Sequence, residues 1–309
     1  MSSKTLLIDL GGTNLRSGIG DTESLKVSDV KKFPIKSNED FYEALQSVNA
    51  VTDFSEIIIS AAGPCENNKI SMTNRNLHIS GADIEAKLGI DKCYLLNDWE
   101  SIGYSLPVLS NTDLSQLKAG NLDLNDTCLA IGPGTGLGFS VLRYVNNIPY
   151  VYATELGNTR SFNEYFIKLF DLESSAKFLV LEDFLSGTGI SKIFNSKSGK
   201  NLSAEEVVYA YGHDDLSTFI IDNFVRGLGN LLSDLALTFN AKGGIFFAGS
   251  IMRTISEMNS IKLLEESFKN HHSDAHNEIL NNISINLINK EHTPLYGNLN
   301  YSVIRRLHE

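Results

Sequence analysis

Two short apolar runs in this chain each enter a cluster of glycines and leave it as a second apolar run. Lys4–Ile8 precedes Asp9-Leu10-Gly11-Gly12-Thr13-Asn14, and Leu15–Gly20 follows. Thr127–Ile131 precedes Gly132-Pro133-Gly134-Thr135-Gly136-Leu137-Gly138, and Gly138–Arg143 follows. A strand, a glycine turn and a returning strand, met twice, point to two lobes of related architecture. The length agrees: 309 residues exceed one typical core of about 100–150 residues.

Between the two glycine turns the pattern is mixed α/β. Residues 38–50 have helical spacing with an acidic first turn, Glu56–Ala62 is a continuous apolar strand, Asp83–Leu88 a short helix and Cys93–Leu96 a buried strand ending at Asn97-Asp98. Ser105–Asn125 is polar and turn-rich and reads as the link to the second lobe. Beyond the second turn, residues 163–180 and 203–240 are helical in period, and the latter has a wide apolar face. Gly243–Ala248 and Ile283–Ile288 are strands, and Leu299–Leu307 is a terminal helix with Arg305 and Arg306 where the helix dipole favours cations.

Composition removes several classes of function. Hydrophobic residues are 42% and charged residues 20%, a globular mix. The net charge of −11 repels a phosphate backbone, so nucleic acid is not an expected partner. Cys65, Cys93 and Cys128 are far apart and form no CxxC pair, which fits a reducing cytosol rather than a disulfide framework or zinc site. No run approaches the roughly 20 apolar residues of a membrane span, and the short run after Met1 does not resemble a signal peptide. A soluble, cytoplasmic protein with no membrane partner is expected.

Five segments can carry chemistry. Asp9 ends a buried strand before two residues without Cβ; it can hold a hydrated Mg²⁺, while Thr13 and Asn14 donate to phosphate oxygens, or the segment is a hairpin turn with an Asx cap. Gly132–Gly138 lacks the Gly-Lys-[Ser/Thr] ending of a Walker loop and is followed by strand rather than helix. It therefore reads as a strand–turn–strand phosphate cradle, with a structural bulge as the alternative. Asn97-Asp98 stands where open α/β sheets present ligand-binding residues; Asp98 can accept a proton from an attacking hydroxyl, or cap the helix that begins at Trp99. Glu155, Asn158 and Glu182 lie near glycines, and paired carboxylates suit vicinal sugar hydroxyls, although single glutamates are usually just solvated. Gly243–Ser250 flanks a buried strand with glycines and lets a flat ring such as adenine lie against the backbone.

In this order, the segments resemble the bacterial glucokinase family, within the hexokinase–actin–heat-shock ATPase fold. Asp9–Asn14 is similar to that fold's first phosphate segment, Gly132–Gly138 to the second, Gly243–Ser250 to the adenosine segment and Phe224–Asn240 to the helix linking the lobes. Thr73-Asn74, Leu96-Asn97-Asp98, Thr154-Glu155-Leu156-Gly157, Glu182 with Leu185-Ser186-Gly187, and Leu295-Tyr296-Gly297 resemble more specific glucokinase positions. The resemblance implies an α/β, two-lobed ribonuclease-H-like (actin/hexokinase) fold with an interlobe cleft. Residues 1–108 with 293–309 would form a small α/β lobe and 109–292 a large one. It implies ATP-dependent phosphorylation of the 6-hydroxyl of glucose, with ATP and Mg²⁺ as cofactors, a small-molecule sugar and nucleotide as partners, and a homodimer. Asp98 would be the general base. Asn74, Asn97, Asp98, Glu155, Asn158 and Glu182 would bind the sugar. Gly11, Gly12, Thr13, Asn14, Gly134, Thr135 and Gly136 would surround the ATP phosphates, Gly249 and Ser250 would meet adenosine, and Asp9 would sit near the metal.

The chain departs from the family pattern at three places. Glu155-Leu156-Gly157-Asn158 stands where Glu-Gly-Gly-His is usual, so the sugar-binding histidine is absent and Leu156 is placed to crowd the pocket. Ser250 replaces a frequent glycine. Asparagine still donates and accepts, so the exchange costs on the order of 0.5–1.5 kcal/mol and retunes sugar choice. Another hexose or amino sugar (mannose, glucosamine, N-acetylmannosamine) is the alternative substrate. A sugar or nucleotide sensor without turnover is the non-enzyme reading, and polyphosphate or ADP the alternative donors. The cysteine-rich zinc motif and N-terminal helix-turn-helix of related repressor kinases are missing, which disfavours a DNA-binding regulator.

Overall fold

Every residue from Thr5 to Leu10 is buried, as in a strand covered on both faces. This run forms β1 (Lys4–Leu10). It is followed by β2 (Asn14–Asp21), β3 (Lys26–Pro34), α1 (Asn38–Asn49), β4 (Glu56–Ala61), β5 (Cys65–Glu66), β6 (Lys69–Ser71), β7 (His78–Ser80), α2 (Gly81–Leu88), β8 (Lys92–Asn97) and α3 (Asp98–Ser105). The chain continues through β9 (Leu114–Lys118), β10 (Cys128–Pro133), β11 (Leu137–Val145), β12 (Ile148–Thr154), α4 (Asn163–Leu169), α5 (Gly187–Ser198), α6 (Ala204–Tyr209) and α7 (Asp215–Phe239). It ends with β13 (Gly244–Phe247), α8 (Ser250–Ile255), α9 (Lys262–Phe268), α10 (Asp274–Asn282), β14 (Ile285–Ile288) and α11 (Thr293–Arg306). The computed structural model describes residues 4–50, 54–72, 77–160, 162–173 and 177–307.

The chain divides into two units. Unit 1 is Met1–Ser110, Tyr144–Ala153 and Lys290–Glu309; unit 2 is Asn111–Arg143 and Thr154–Asn289. In unit 1 a sheet runs β3-β2-β1-β4-β8. β1 and β2 form an antiparallel hairpin, and β4 and β8 continue the sheet in parallel. One core packs Leu6, Ile8, Ile57 and Ile59 of the strands with Phe41 and Leu45 of α1 and Ile84 of α2. Helix α11 packs against β1, β4 and α3. In unit 2 the same pattern recurs: β10 and β11 are an antiparallel hairpin, β13 and β14 continue in parallel, and β9 closes the edge antiparallel to β14. A separate core gathers Leu129, Ile131, Ile245 and Phe247 of the strands with Phe224, Leu228 and Leu231 of α7.

Four readings of the sequence need correction. Ser105–Asn125 is more than a link, because Leu114–Lys118 pairs with β14 as an edge strand. The helix expected across 163–180 stops at Leu169, and Asp171 takes φ 49°. The stretch 203–240 is two helices: Gly212 turns at φ 78°, and the Asp214 carboxylate accepts the Ser217 N–H at 2.7 Å to cap α7. Helix α7, expected to link the lobes, lies wholly in unit 2.

Candidate active site

In unit 1 the chemistry gathers at one end of the sheet. Asp9 lies level with Ser60 of β4, and Ser60 with Leu96 of β8. Asn97 and Asp98 therefore follow two strands away, about 10 Å across the sheet at ordinary strand spacing. Asp9 is 8% exposed. Across the hairpin its register partner is Arg16, whose Nη1 donates to Asp9 Oδ2 at 3.1 Å. Burial pushes the Asp9 carboxyl upward and the Arg16 guanidinium opposes this, with burial prevailing. Arg16 was not singled out in the sequence, although a hairpin pairing Leu10 with Leu15 necessarily pairs Asp9 with Arg16. The turn itself is closed by the Gly11 N–H donating to the Asn14 carbonyl at 2.9 Å, and Asn14 Nδ2 donates to Thr13 Oγ1 at 2.7 Å.

The cap of α3 belongs to Asn97, not Asp98. Asn97 Oδ1 accepts the Trp99 and Glu100 N–H groups at 2.8 and 3.3 Å, and its Nδ2 donates to the Gly63 carbonyl at 2.9 Å. Glu100 Oε2 accepts the Asn97 N–H at 3.3 Å, completing a capping box. Asp98 is thereby the first residue of the helix, and its Oδ1 accepts the Trp99 N–H at 3.0 Å. Burial raises the Glu100 carboxyl to about 7, against the lowering effect of its bond from Asn97. Asn74 lies outside the described residues.

In unit 2 the second glycine turn docks on the start of α5. The Gly134 N–H donates to the Gly136 carbonyl at 2.8 Å, the Gly187 N–H to the Gly134 carbonyl at 2.7 Å, and Thr188 Oγ1 to the Thr135 carbonyl at 2.7 Å. Ser186 caps α5 through Gly189 N–H at 2.9 Å, so a helix N-terminus with its favourable field for anions adjoins the turn. A pocket of about 590 Å³ opens here, lined by Gly134, Thr135 and Thr188 on one side, by Glu205 and Tyr209 of α6, and by Ser250 and Thr254 of α8. Gly249 precedes α8 at φ 112° and lies close to the Pro133 carbonyl. Of the pocket residues on α5 and α6, the sequence reading names Gly187 but not Thr188, Ser191, Glu205 or Tyr209, which stand singly in short helices. The local signs were the Ser186 cap of α5 and the Ser203–Glu206 capping box of α6.

The expected sugar residues of unit 2 also converge. Asn158 Nδ2 donates to Glu155 Oε2 at 3.2 Å. The Leu137 N–H donates to Glu182 Oε2 at 3.3 Å, and that oxygen fills the space a Cβ would take at Gly136 (2.6 Å) and Gly157 (3.0 Å). Glycine at 136 therefore admits a carboxylate, a role distinct from the phosphate contact expected of it. Leu156 does not crowd this group: the short helical turn Leu156–Asn158 directs it onto the hydrophobic core of unit 2. Among the described residues, no helix is long and apolar enough to cross a membrane.

Comparison with known proteins identifies the family and the fold. The family model described as Glucokinase matches residues 6–303. The glucokinase of Colwellia psychrerythraea is 30% identical over 267 residues, covering 80% of this chain and 81% of that protein. Among solved structures, glucokinase from Balamuthia mandrillaris in complex with glucose superposes with TM-score 0.79 at 16% identity, covering 98% of this chain and 94% of that one. A ROK family glucokinase from Streptomyces griseus in complex with glucose and AMPPNP superposes with TM-score 0.68 at 16% identity, covering 96% and 98%. The fold is the expected α/β fold of actin and hexokinase, and the chain belongs to the glucokinase family of sugar kinases.

Proposed function

We propose that the chain transfers the γ-phosphoryl group of ATP to the 6-hydroxyl of glucose, giving glucose 6-phosphate and ADP. The observation that carries this is the unit 2 pocket. In a chain of the glucokinase family, it joins Gly134 and Thr135 of the phosphate turn with Ser250 of the adenosine segment in a recess of nucleotide size. Unit 2 supplies the nucleotide site, with the α5 N-terminus beside the phosphates and the face of Tyr209 available to the base. It also supplies Glu155, Asn158 and Glu182 as hydrogen-bond partners for sugar hydroxyls. Unit 1 supplies Gly11, Gly12, Thr13 and Asn14 as phosphate donors, and Asn97, which keeps one amide hydrogen for the sugar after donating the other to the Gly63 carbonyl.

Asp98 accepts the proton of the 6-hydroxyl as its oxygen attacks phosphorus in line with the departing ADP oxygen. The donor set fits Mg²⁺: Asp9 offers a hard carboxylate oxygen, and this ion normally keeps waters and takes substrate phosphates for the rest of its shell. Mg²⁺ bound there would neutralise phosphate charge. Arg16 holds the Asp9 carboxylate in place. The family resemblance extends the proposal to a homodimer in the cytoplasm acting at the entry to glycolysis.

A coupled ADP-release assay on purified protein with ATP and Mg²⁺ tests this across glucose, mannose, glucosamine and N-acetylmannosamine. The expected outcome is the highest kcat/KM for glucose. Preference for another sugar overturns the assignment of glucose. Absence of turnover with every sugar, and with polyphosphate or ADP as donor, replaces the kinase by a sensor.

A further inference from the structure

Asn298 is fully buried in the middle of α11. Its Nδ2 donates to the Ile8 carbonyl at 2.8 Å and to Ser60 Oγ at 3.2 Å, while its Oδ1 accepts from Ser101 Oγ at 2.8 Å. Three elements meet on this one amide: β1 directly before Asp9, β4 at the level of Asp9, and α3 one turn after Asp98. The adjoining residue tightens the contact. A Cβ on Gly297 would lie 1.8 Å from the Ser101 carbonyl oxygen, so α11 and α3 touch backbone to backbone. Ser101 is itself fully buried, and its one hydroxyl hydrogen is shared between Asn298 Oδ1 at 2.8 Å and the Pro294 carbonyl at 2.7 Å.

An apolar residue would satisfy packing at this position without the cost of burying an amide. The amide adds direction. Both of its hydrogens and its oxygen are used, and hydrogen bonds in so dry a place are strong and geometrically exacting. We propose that Asn298 is a positioning residue, which fixes the strand end bearing Asp9 and the helix start bearing Asp98 relative to one another. This rests on the roles assigned above to the two carboxylates. Displacement of a reacting group by about 1 Å costs on the order of a hundredfold in rate, so loosening this link acts on kcat rather than on substrate affinity.

The test compares Asn298→Ala, Ser101→Ala and their double variant with Ser302→Ala. Ser302 lies on the same helix but bonds Glu56 and Thr5 near the start of β1. All are assayed in the full chain at equal distances below their own Tm. Asn298→Ala is expected to lower kcat about tenfold or more, with KM for glucose and for ATP changed less than about threefold. The two changes share the Asn298–Ser101 bond, so the loss in the double variant should be smaller than the sum of the single losses. Ser302→Ala should lower Tm and leave kcat intact.

A second readout does not need turnover. Trp99, the only tryptophan, stands in the first turn of α3 beside Asp98. Its acrylamide quenching should rise in Asn298→Ala and Ser101→Ala but not in Ser302→Ala. Unchanged kcat and quenching in both the Asn298 and Ser101 variants, or equal kcat losses in Ser302→Ala, overturn the inference. Where Asn298→Ala does not fold, Ser101→Ala decides. A wild-type protein inactive toward every sugar defeats the proposed function instead, and the quenching comparison still decides whether Asn298 orders the start of α3.

Discussion

Asp98 owes its candidacy to a division of labour with its neighbour. Asn97 takes the cap of α3, and Asp98 follows it as the first residue of the helix, its Oδ1 accepting the Trp99 N–H. Asp98→Asn keeps shape and removes the base, so kcat should fall by about 10²–10⁴-fold with little change in Tm; near-normal turnover in steady-state assays would refute the role. Asn158→Ala removes a neutral group that already bonds Glu155. It should raise KM for glucose up to about tenfold while kcat changes little. Glu100 gives a pH dependence. Its folded-state carboxyl titrates near 7 against an ordinary 4.5, so the unfolded chain ionises first and stability falls as pH rises from 4.5 to 7. Glu100→Gln keeps an acceptor for the Asn97 N–H and removes that ionisation. Urea unfolding at pH 5 and pH 8 should show the variant gaining on wild type at pH 8 by on the order of 1–3 kcal/mol, and an equal difference at both pH values would exclude this. At this scale the sequence was legible where a residue's type and its place at a strand end agreed, as at Asp9 and Asp98. It was not legible where facing decides: Leu156 and Glu182 are oriented by short helical turns with no periodicity to read.

The elements were legible in proportion to how much of each one buries. Ile57, Ile58 and Ile59 are all fully buried and announced β4 at once. β3 has no buried residue and is held by backbone pairing to β2, so its sequence has no apolar face to find. β9 is similar: among its residues only Lys118 is fully covered, and its Nζ donates to the carbonyls of Ala119, Asn281 and Ile283. Helices α5, α6 and α8 line the pocket beside Thr135. Ser191 lies on α5 at its wall. Ser191→Phe should fill the recess, raise KM for ATP about tenfold or more, and leave KM for glucose unchanged. It should also abolish the Tm increase that saturating ATP gives wild type, since that increase follows the ratio of nucleotide concentration to Kd. An ATP-induced shift of wild-type size in the variant would place the nucleotide elsewhere.

At the scale of the whole chain, unit 1 is assembled from three separated segments and closed by α11, the last helix. The glycine repeat in the sequence foretold two hairpin-based sheets, but no local pattern announces which distant segment completes which sheet. The closure is chemical as well as apolar. Glu56, 3% exposed at the start of β4, accepts from Ser302, Arg305 and Arg306 of α11 and from Thr5 of β1. Burial alone would raise this carboxyl, yet the hydrogen bonds from Ser302 and the two arginines outweigh it and hold it below its usual range. Its contribution is therefore present above the ordinary pKa of 4.5 and lost as pH falls below that. Removing one partner of a buried charge cluster costs about 3–5 kcal/mol, so Glu56→Gln should destabilise unit 1 by that order at pH 7 and by about 1 kcal/mol less at pH 3.5, since one group changes stability by at most about 1.4 kcal/mol per pH unit. Trp99 lies in unit 1, so its fluorescence follows that unit alone, whereas far-ultraviolet circular dichroism follows helices of both. The two units have separate hydrophobic cores. In urea at pH 7 the fluorescence midpoint of Glu56→Gln should thus fall further below wild type than the dichroism midpoint does. Equal shifts in both signals would show that loss of the clamp is felt throughout the chain and not first where α11 closes the sheet.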